Sequence, residues 1–166
     1  MAYERIERHL KDMIKILFVC HGNICRSPMA EFVMKDIVSR NGLEDDFDID
    51  SCAATTEDIG SYMHRGAVKK LKEKGIPFED RKARLFNKKD YETADYIIIM
   101  DEENEEDLNY YTNDDPLCKI HYLLEYTGEN REVRDPWWTG NFEETYDDIS
   151  RGCLALLDYI QDNNES

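Results

Sequence analysis

A chain of 166 residues is long enough for one hydrophobic core and too short for two large ones. With 41% hydrophobic and 11% aromatic residues, its composition excludes a disordered or collagen-like chain. The 37 acidic and 21 basic residues give a formal net charge of −16 at pH 7, which disfavours nucleic acid and anionic membranes as partners.

The chain carries no sequence signal for membrane insertion or export. No apolar run approaches the ~18 residues of a membrane span, and the N-terminus lacks the apolar stretch of a signal peptide. The five cysteines are an odd number spread thinly along the chain, unlike a disulfide framework. We therefore expect a cytoplasmic protein with reduced cysteines and no membrane among its partners.

The hydrophobic pattern divides the chain into a short extension and one domain. Residues 1–12 carry apolar side chains at helical spacing and could form a short helix, whereas residues 13–166 are expected to form a single domain. Apolar or alternating runs predict strands at residues 15–20, 47–52, 81–85 and 95–101. Helical spacing with start and stop signals predicts helices at residues 27–41, 64–74, 87–93, 102–109, 117–126 and 142–161. Residues 134–141, with a proline and a glycine, are expected to be a loop.

This order of elements predicts where a ligand would bind. Strands that alternate with helices imply a parallel sheet with helices on both faces. In such sheets ligands bind outside the carboxyl ends of the strands. The turn that follows Cys20, at the end of the first predicted strand, is therefore the first place to expect a functional site.

That turn reads Cys-His-Gly-Asn-Ile-Cys-Arg-Ser-Pro, beginning at Cys20. A chain that passes from a strand into a helix N-terminus can direct several backbone N–H groups at one spot. We expect Gly22 and Asn23 to allow positive φ there, and Ser27, before the proline, to start the helix. Arg26 can return across the loop and bind two oxygens of a phosphate. The segment therefore predicts a cradle for an oxyanion.

Cys20 would lie at the floor of this cradle. The helix N-terminus and Arg26 would stabilise its thiolate form, and the hydroxyl of Ser27 could donate a hydrogen bond to the sulfur. A thiolate that faces a bound tetrahedral anion is a nucleophile for phosphoryl transfer through a covalent intermediate.

The Cys-x5-Arg-Ser-Pro segment resembles the signature loop of the low molecular weight protein tyrosine phosphatases. The resemblance continues through Ser51, residues 96–101 and Asp135, which precedes a proline and two aromatic residues, and it covers about residues 14–161. It implies a three-layer αβα fold of the α/β class, with a four-stranded parallel sheet in the order 2-1-3-4. It also implies a metal-independent hydrolase, without a cofactor, that acts on phosphotyrosine in proteins or peptides as a monomer or weak dimer.

The resemblance also assigns roles to individual residues. Cys20 would attack phosphorus, and Asp135 would protonate the leaving phenol and then activate water to hydrolyse the cysteinyl phosphate. The phosphate oxygens would be held by the Arg26 guanidinium and by backbone N–H groups of the loop, which comprises His21, Gly22, Asn23, Ile24, Cys25 and Arg26. Asn23, Ser27 and Ser51 would supply supporting hydrogen bonds. Asp101 would orient Arg26.

Further positions concern substrate choice and regulation. Trp137 and Trp138 would form an aromatic wall for the substrate ring. Cys25 matches a second cysteine that can pair with the nucleophile under oxidation, although a packed thiol is an equally open interpretation. Glu57 falls where a substrate-facing aromatic residue often lies, which should disfavour acidic phosphopeptides. Arg81 falls where a histidine usually supports the loop, so the support of the loop is open at that position.

Three other functions could use the same cradle. Arsenate reductases of this fold relay a disulfide through a closely spaced cysteine pair, but Cys118 has no cysteine near it in the sequence. Protein-arginine phosphatases carry threonine where Ile24 stands, so the isoleucine favours tyrosine. The third alternative is a phosphate-binding module that has lost catalysis, and the intact set of Cys20, Arg26 and Asp135 argues against it.

Overall fold

The apolar run that follows residue 13 forms the inner strand β1 (Ile14–Cys20) of a four-stranded parallel sheet in the computed structural model, which describes residues 13–164. β1 pairs with β2 (Phe47–Ala53) on one side and with β3 (Tyr96–Ile99) on the other. β4 (Ile120–Tyr122) continues the sheet beyond β3. The expected order 2-1-3-4 is therefore confirmed, and the carboxyl ends of all four strands lie at one edge.

Helices and turns connect these strands and follow the last one. Six helices lie within the described residues: α1 (Arg26–Arg40), α2 (Arg65–Glu73), α3 (Lys88–Thr93), α4 (Glu102–Thr112), α5 (Pro136–Thr139) and α6 (Phe142–Asn164). Short 3₁₀ turns precede β2 and follow β4. Asn87 caps α3 and Asp101 caps α4, each accepting a hydrogen bond from a backbone N–H of the first turn.

The side chains of β1 alternate between the two faces of the sheet, because successive residues of a strand point in opposite directions. Ile16 and Phe18 belong to the larger core, which α1 and α6 cover. Leu17 and Val19 belong to a smaller core on the other face, with Leu108 of α4. Both faces are thus buried, which explains why the strand reads as a continuous apolar run. The three-layer architecture expected from the sequence is confirmed.

The long C-terminal helix places a predicted apolar stripe in the larger core. Every member of the stripe is buried in the larger core: Ile149, Cys153, Leu156, Leu157 and Ile160. The helical spacing of these residues therefore identified the buried face of α6 correctly.

The segment 117–126 differs from the helix expected there. It forms β4 and then a 3₁₀ turn, Leu123–Thr127. The backbone N–H of Ile97 in β3 donates to the carbonyl of Lys119 at 3.0 Å. Without this segment β3 would expose a row of unpaired backbone groups along the sheet edge, and pairing satisfies them. Tertiary pairing thus overrides the local helical pattern.

Two further segments correct the expected elements. Residues 81–85 form no strand; isolated bridges from Ala53 to Leu85 and from Tyr62 to Lys82 hold this segment against its neighbours. The loop expected at residues 134–141 contains the single helical turn α5.

Some expectations fall outside the described residues. The extension of residues 1–12, with the helix expected in it, is among them, and so are residues 165–166. Within residues 13–164, no helix is both long enough and apolar enough to cross a membrane.

Candidate active site

The loop between β1 and α1 lies at the carboxyl edge of the sheet. Cys20 is the last residue of β1 and is 3% exposed, and α1 begins six residues later at Arg26. The chain that follows β2 runs beside this loop, because Ala54 N–H donates to the Cys20 carbonyl at 2.8 Å and Thr55 N–H donates to that of His21 at 3.1 Å. The loop is therefore fixed between a helix start and a neighbouring strand end.

Asn23 provides the left-handed turn that the loop needs. Its φ is 60°, as the sequence suggested, and its side chain is buried. The amide Nδ2 donates to Ser27 Oγ at 2.8 Å and to Ser51 Oγ at 3.0 Å. One side chain thus connects the loop, the first turn of α1 and the end of β2.

Ser27 faces the sulfur and does not cap the helix. Cys25 occupies the N-cap position without a side-chain capping bond, and Ser27 lies inside the first turn of α1. Ser27 Oγ is 3.1 Å from Cys20 Sγ, and the backbone N–H of Ser27 donates to the same sulfur at 3.4 Å. The expected capping role is therefore wrong, because the hydroxyl is directed into the loop.

Gly22 does not adopt the positive φ that we expected of it. A glycine is needed here because another segment approaches closely: a Cβ at this position would lie 2.3 Å from Oδ2 of Asp58. The loop after β2 therefore packs directly onto the backbone of Gly22, and any side chain there would have to displace the carboxylate. Sequence reasoning found the glycine and missed its partner.

Arg26 is a buried guanidinium, 2% exposed, that faces three acceptors from two segments of the chain. Its Nη1 donates to Asp101 Oδ2 at 2.6 Å and to the carbonyl of Val133 at 2.9 Å. Its Nη2 lies 3.5 Å from Oδ2 of Asp135. Burial alone would lower the pKa of Arg26, but the acidic groups around it, Cys20 first among them, raise it.

Asp101 and Asp135 each perform two tasks in this arrangement. Asp101 caps α4 by accepting from Asn104 N–H at 2.9 Å through Oδ1, while Oδ2 holds Arg26. Asp135 caps α5 by accepting from Trp137 N–H at 3.0 Å through Oδ1, which leaves Oδ2 toward Arg26. Helix capping therefore orients both carboxylates relative to the guanidinium.

Arg81 supports the loop where the sequence left the support open. Its Nη2 donates to Asn23 Oδ1 at 3.2 Å, and its Nη1 donates to Ser51 Oγ at 2.8 Å. The guanidinium also forms an ion pair with Glu31, a buried residue of α1. Glu31 itself accepts from Ser51 Oγ at 2.6 Å. Sequence reasoning missed Glu31 as a site residue, because only its burial distinguishes it from the other glutamates.

A pocket of about 330 Å³ opens above the loop. Its lining includes most of the predicted loop residues together with Glu57, Asp135, Trp137 and Trp138. Trp137 and Trp138 are 58% and 82% exposed, so both rings are available to a ligand. Asn23 is buried below the loop and does not line the pocket.

Three residues near the pocket were not among the predicted ones. Asp58 and Glu103 line it, and Glu103 follows β3 at the same edge of the sheet. That position could have identified Glu103 from the sequence, because the carboxyl ends of parallel strands meet at this edge. His64 contacts Trp137 edge-to-face, with ring centroids 5.6 Å apart, and stacks on Phe142 at 5.2 Å. His64 therefore packs one ring of the predicted wall against α6.

Cys25 is buried beside the nucleophile candidate and is a free thiol. Burial raises the pKa of the Cys25 thiol above its usual range, and the neighbouring Cys20 and Asp135 raise it further. Cys25 is therefore a protonated thiol at neutral pH. The two cysteines also differ in their surroundings, because the sulfur of Cys20 contacts the hydroxyl and the N–H of Ser27.

These features define what the site can do chemically. A thiol, a guanidinium and a carboxylate surround one pocket, at the N-terminus of a 15-residue helix. A helix N-terminus and a buried guanidinium bind tetrahedral dianions, and a sulfur at the base of such a site can accept a transferred group.

Comparisons with known proteins agree with this arrangement. The family described as low molecular weight phosphotyrosine protein phosphatase matches residues 15–166. The low molecular weight protein-tyrosine-phosphatase YfkJ of Bacillus subtilis (strain 168) is 41% identical over 151 residues, which are 90% of this chain and 97% of YfkJ.

Solved structures give the same result. The crystal structure of YfkJ has a TM-score of 0.87 at 40% identity and covers 91% of this chain and 96% of its own. SP-PTP, a low molecular weight protein tyrosine phosphatase from Streptococcus pyogenes, has a TM-score of 0.80 at 40% identity, with coverages of 89% and 93%. DARP, a drosophila arginine phosphatase, has a TM-score of 0.81 at 30% identity, with coverages of 89% and 98%. The chain belongs to the low molecular weight phosphotyrosine protein phosphatase family.

Proposed function

We propose that this protein hydrolyses phosphotyrosine in proteins or peptides through a cysteinyl-phosphate intermediate. The observation that carries the proposal is the meeting of Arg26 with Asp135, whose Nη2 and Oδ2 atoms are 3.5 Å apart. It brings a carboxylate from the far part of the chain to the pocket that Cys20 and the loop line. A nucleophile, an anion clamp and an acid are then within reach of one bound phosphate.

In the first step the phosphate binds between Arg26 and the backbone N–H groups of residues 21–26, near the N-terminus of α1. The thiolate of Cys20 attacks phosphorus, so that an S–P bond forms and the P–O bond to the phenol breaks. Asp135 gives its proton to the departing oxygen, so that the leaving group departs as a neutral phenol and not as a phenolate.

In the second step a water molecule attacks the cysteinyl phosphate. Asp135, now a carboxylate, takes a proton from this water, the S–P bond breaks, and Cys20 leaves as a thiolate. The hydroxyl of Ser27, 3.1 Å from the sulfur, stabilises the thiolate before and after the cycle. Asn23 and Ser51 act on the loop by hydrogen bonds, and Asp101 acts by holding Arg26.

Two observations support an aromatic substrate over phosphoarginine. The exposed rings of Trp137 and Trp138 flank the pocket, and flat rings stack favourably on a phenyl ring. Ile24 lines the same pocket with an apolar side chain and offers no hydroxyl to a guanidinium. Because one structural relative is named an arginine phosphatase, phosphoarginine is the second candidate substrate.

We also place the protein in the cytoplasm and propose one domain that begins near residue 13. Five free cysteines support a reducing compartment. The single sheet with its covering helices supports one domain over the described residues. We propose a monomer or weak dimer, as the resemblance implies.

The test is hydrolysis of a phosphotyrosine peptide in the presence of EDTA, compared with phosphoarginine and phosphoserine. We expect turnover of phosphotyrosine by the wild-type protein and none by Cys20→Ser, which keeps the anion cradle and lacks the nucleophile. Faster turnover of phosphoarginine would change the substrate class. Absence of turnover for all three would leave a phosphate-binding module, and arsenate reduction would then be measured.

A further inference from the structure

His21, the first residue of the loop, has one ring nitrogen with a hydrogen bond and one without. Its Nε2 is hydrogen bonded to a carboxylate oxygen of Glu57. Its Nδ1 is buried and has no hydrogen-bond partner among residues 13–164. Oε1 of Glu103 lies 3.5 Å from Nδ1, beyond good hydrogen-bond distance.

Two carboxylates of α4 converge on this nitrogen. Glu103 and Asp107 are four residues apart and therefore lie on one face of the helix. One ligand atom from each of them and one from His21 all lie within 4.8 Å of one another. Oδ2 of Asp107 is also buried without a hydrogen-bond partner in the described part of the chain. Three possible ligand atoms thus lie close together.

The separation of two of these atoms suits a transition-metal ion. Zinc binds nitrogen and oxygen at about 2.0–2.2 Å, so tetrahedral coordination places its ligand atoms roughly 3.4 Å apart. Nδ1 of His21 and Oε1 of Glu103 are separated by 3.5 Å. An imidazole and two carboxylates are ligands that zinc commonly accepts.

The bond between His21 and Glu57 favours the tautomer that such an ion requires. A histidine that binds a metal usually donates its other ring N–H to a carboxylate, which fixes the ring and leaves the first nitrogen with a lone pair. Glu57 provides that carboxylate at Nε2. The pattern around His21 therefore includes both the ligands and the outer support of a metal site.

We propose that His21, Glu103 and Asp107 form a binding site for a divalent transition-metal ion, with zinc as the best match, at the rim of the pocket. The ion is not part of the phosphatase reaction. Its charge would offset the two carboxylates of α4 beside a pocket that takes a dianion. The role that we infer for this site rests on the proposed function: the bound ion would strengthen binding of phosphopeptides with acidic flanks.

A proton on Nδ1 is the competing explanation of the same geometry. Burial lowers the pKa of His21, but the carboxylates around it, with Glu57 foremost, raise it overall. A protonated ring would form ion pairs with Glu57 and Glu103 and would need no metal. The experiment must therefore distinguish a bound ion from a bound proton at the same nitrogen.

Zinc would be titrated into Cys20→Ser protein without a polyhistidine tag, followed by calorimetry, so that the Cys20 thiolate cannot bind the metal. We expect one ion per chain, and Glu103→Gln and Asp107→Asn should each weaken binding at least about tenfold. Glu106→Gln is the matched control, because it removes the same charge from an exposed position of α4 outside the cluster. It should bind as the parent protein does.

Nitrogen NMR of the His21 ring provides the second measurement. With zinc, the Nδ1 resonance should move to that of a metal-bound nitrogen while Nε2 stays protonated. Equal affinity in all three carboxylate variants, or an absence of saturable binding, would overturn the proposal. A ring protonated at both nitrogens at neutral pH and unchanged by zinc would also overturn it. The phosphatase proposal is tested apart, since phosphotyrosine hydrolysis is measured in EDTA.

Discussion

The guanidinium of Arg81 donates from Nη2 to Oδ1 of Asn23 at 3.2 Å, and so holds the loop residue that adopts positive φ. It reaches Ser51 as well, so one side chain contacts two of the residues that tie the loop together. A guanidinium stays protonated at every accessible pH and has five donors in a fixed plane. Arg81 therefore supports the loop at the position where the resemblance led us to expect a histidine.

Arg81→Met should slow catalysis and destabilise the fold. Asn23 would lose a donor, and the buried carboxylate of Glu31 would lose one of its cationic partners and keep Lys35. We expect about a tenfold lower kcat and a free energy of unfolding lower by about 2–3 kcal/mol. Lys82→Met, at the exposed neighbouring position, is the control for loss of charge. An unchanged kcat and inhibition constant for phosphate would show that the loop does not depend on Arg81.

Gly22→Ala should reduce activity by displacing Asp58. The new Cβ would lie 2.3 Å from Asp58 Oδ2, so the carboxylate and the loop must separate. We expect a stability loss of about 1–3 kcal/mol, typical of overpacking, together with a lower kcat/KM. The double variant Gly22→Ala with Asp58→Ala should recover most of both, as measured by urea unfolding and aryl phosphate hydrolysis. Absence of rescue would place the cause in the backbone of Gly22.

Asp135→Asn should reduce activity more for a substrate with a poor leaving group than for one with a good leaving group. The amide oxygen can still accept from Trp137 N–H, so α5 keeps its cap, but the side chain cannot give up a proton. We expect kcat/KM for phenyl phosphate, which reports the steps through departure of the phenol, to fall roughly 100- to 10,000-fold. The loss should be smaller for p-nitrophenyl phosphate, whose phenolate leaves without protonation. Equal losses for both substrates would assign Asp135 a role in binding instead.

Glu57→Gln should increase activity on peptides with acidic flanks. Glu57 lines the pocket, and glutamine keeps an acceptor for His21 while it removes the charge. In metal-free buffer of low salt we expect kcat/KM for such peptides to rise roughly threefold, with a smaller gain at high salt. Glu92→Gln is the control. It removes the same charge from α3, which leads into the amino end of β3 and so lies away from the carboxyl edge that carries the pocket. A wild-type preference for acidic flanks would contradict this prediction.

The buried thiol of Cys153 should make the fold less stable at high pH. Burial raises the pKa of Cys153, and unfolding returns it to its ordinary value of 9.0. Above that pH the folded chain keeps a proton that the unfolded chain loses, so the free energy of unfolding falls as pH rises. For one thiol the slope is about 1.4 kcal/mol per pH unit.

Guanidinium unfolding on both sides of pH 9.0 measures this slope. Cys153→Ala should remove the contribution of this thiol to the slope, whatever the substitution costs in stability at neutral pH. Cys118→Ala is the control, because this thiol is exposed in the folded chain. Equal slopes in both variants would mean that Cys153 does not titrate between the two states.

The sequence by itself determined the features whose cause is local. The apolar run of β1 predicted a strand buried on both faces, and the spacing in α6 predicted its buried stripe. The loop from Cys20 to Arg26 was also recognisable, because an anion cradle at a helix N-terminus needs particular residues at neighbouring positions. Resemblance to a family added the sheet order and Asp135, which local patterns could not supply.

The tertiary structure alone decided the features whose cause lies between distant segments. Residues 117–126 form β4 because β3 offers an open edge, although their own pattern favoured a helix. Gly22 is required by Asp58, and Arg81 supports Asn23, across segments that meet only when the sheet forms. Local spacing specifies which side chains are available, but contacts between loops depend on how strands are ordered at one edge of the sheet. That ordering is a property of the packed chain.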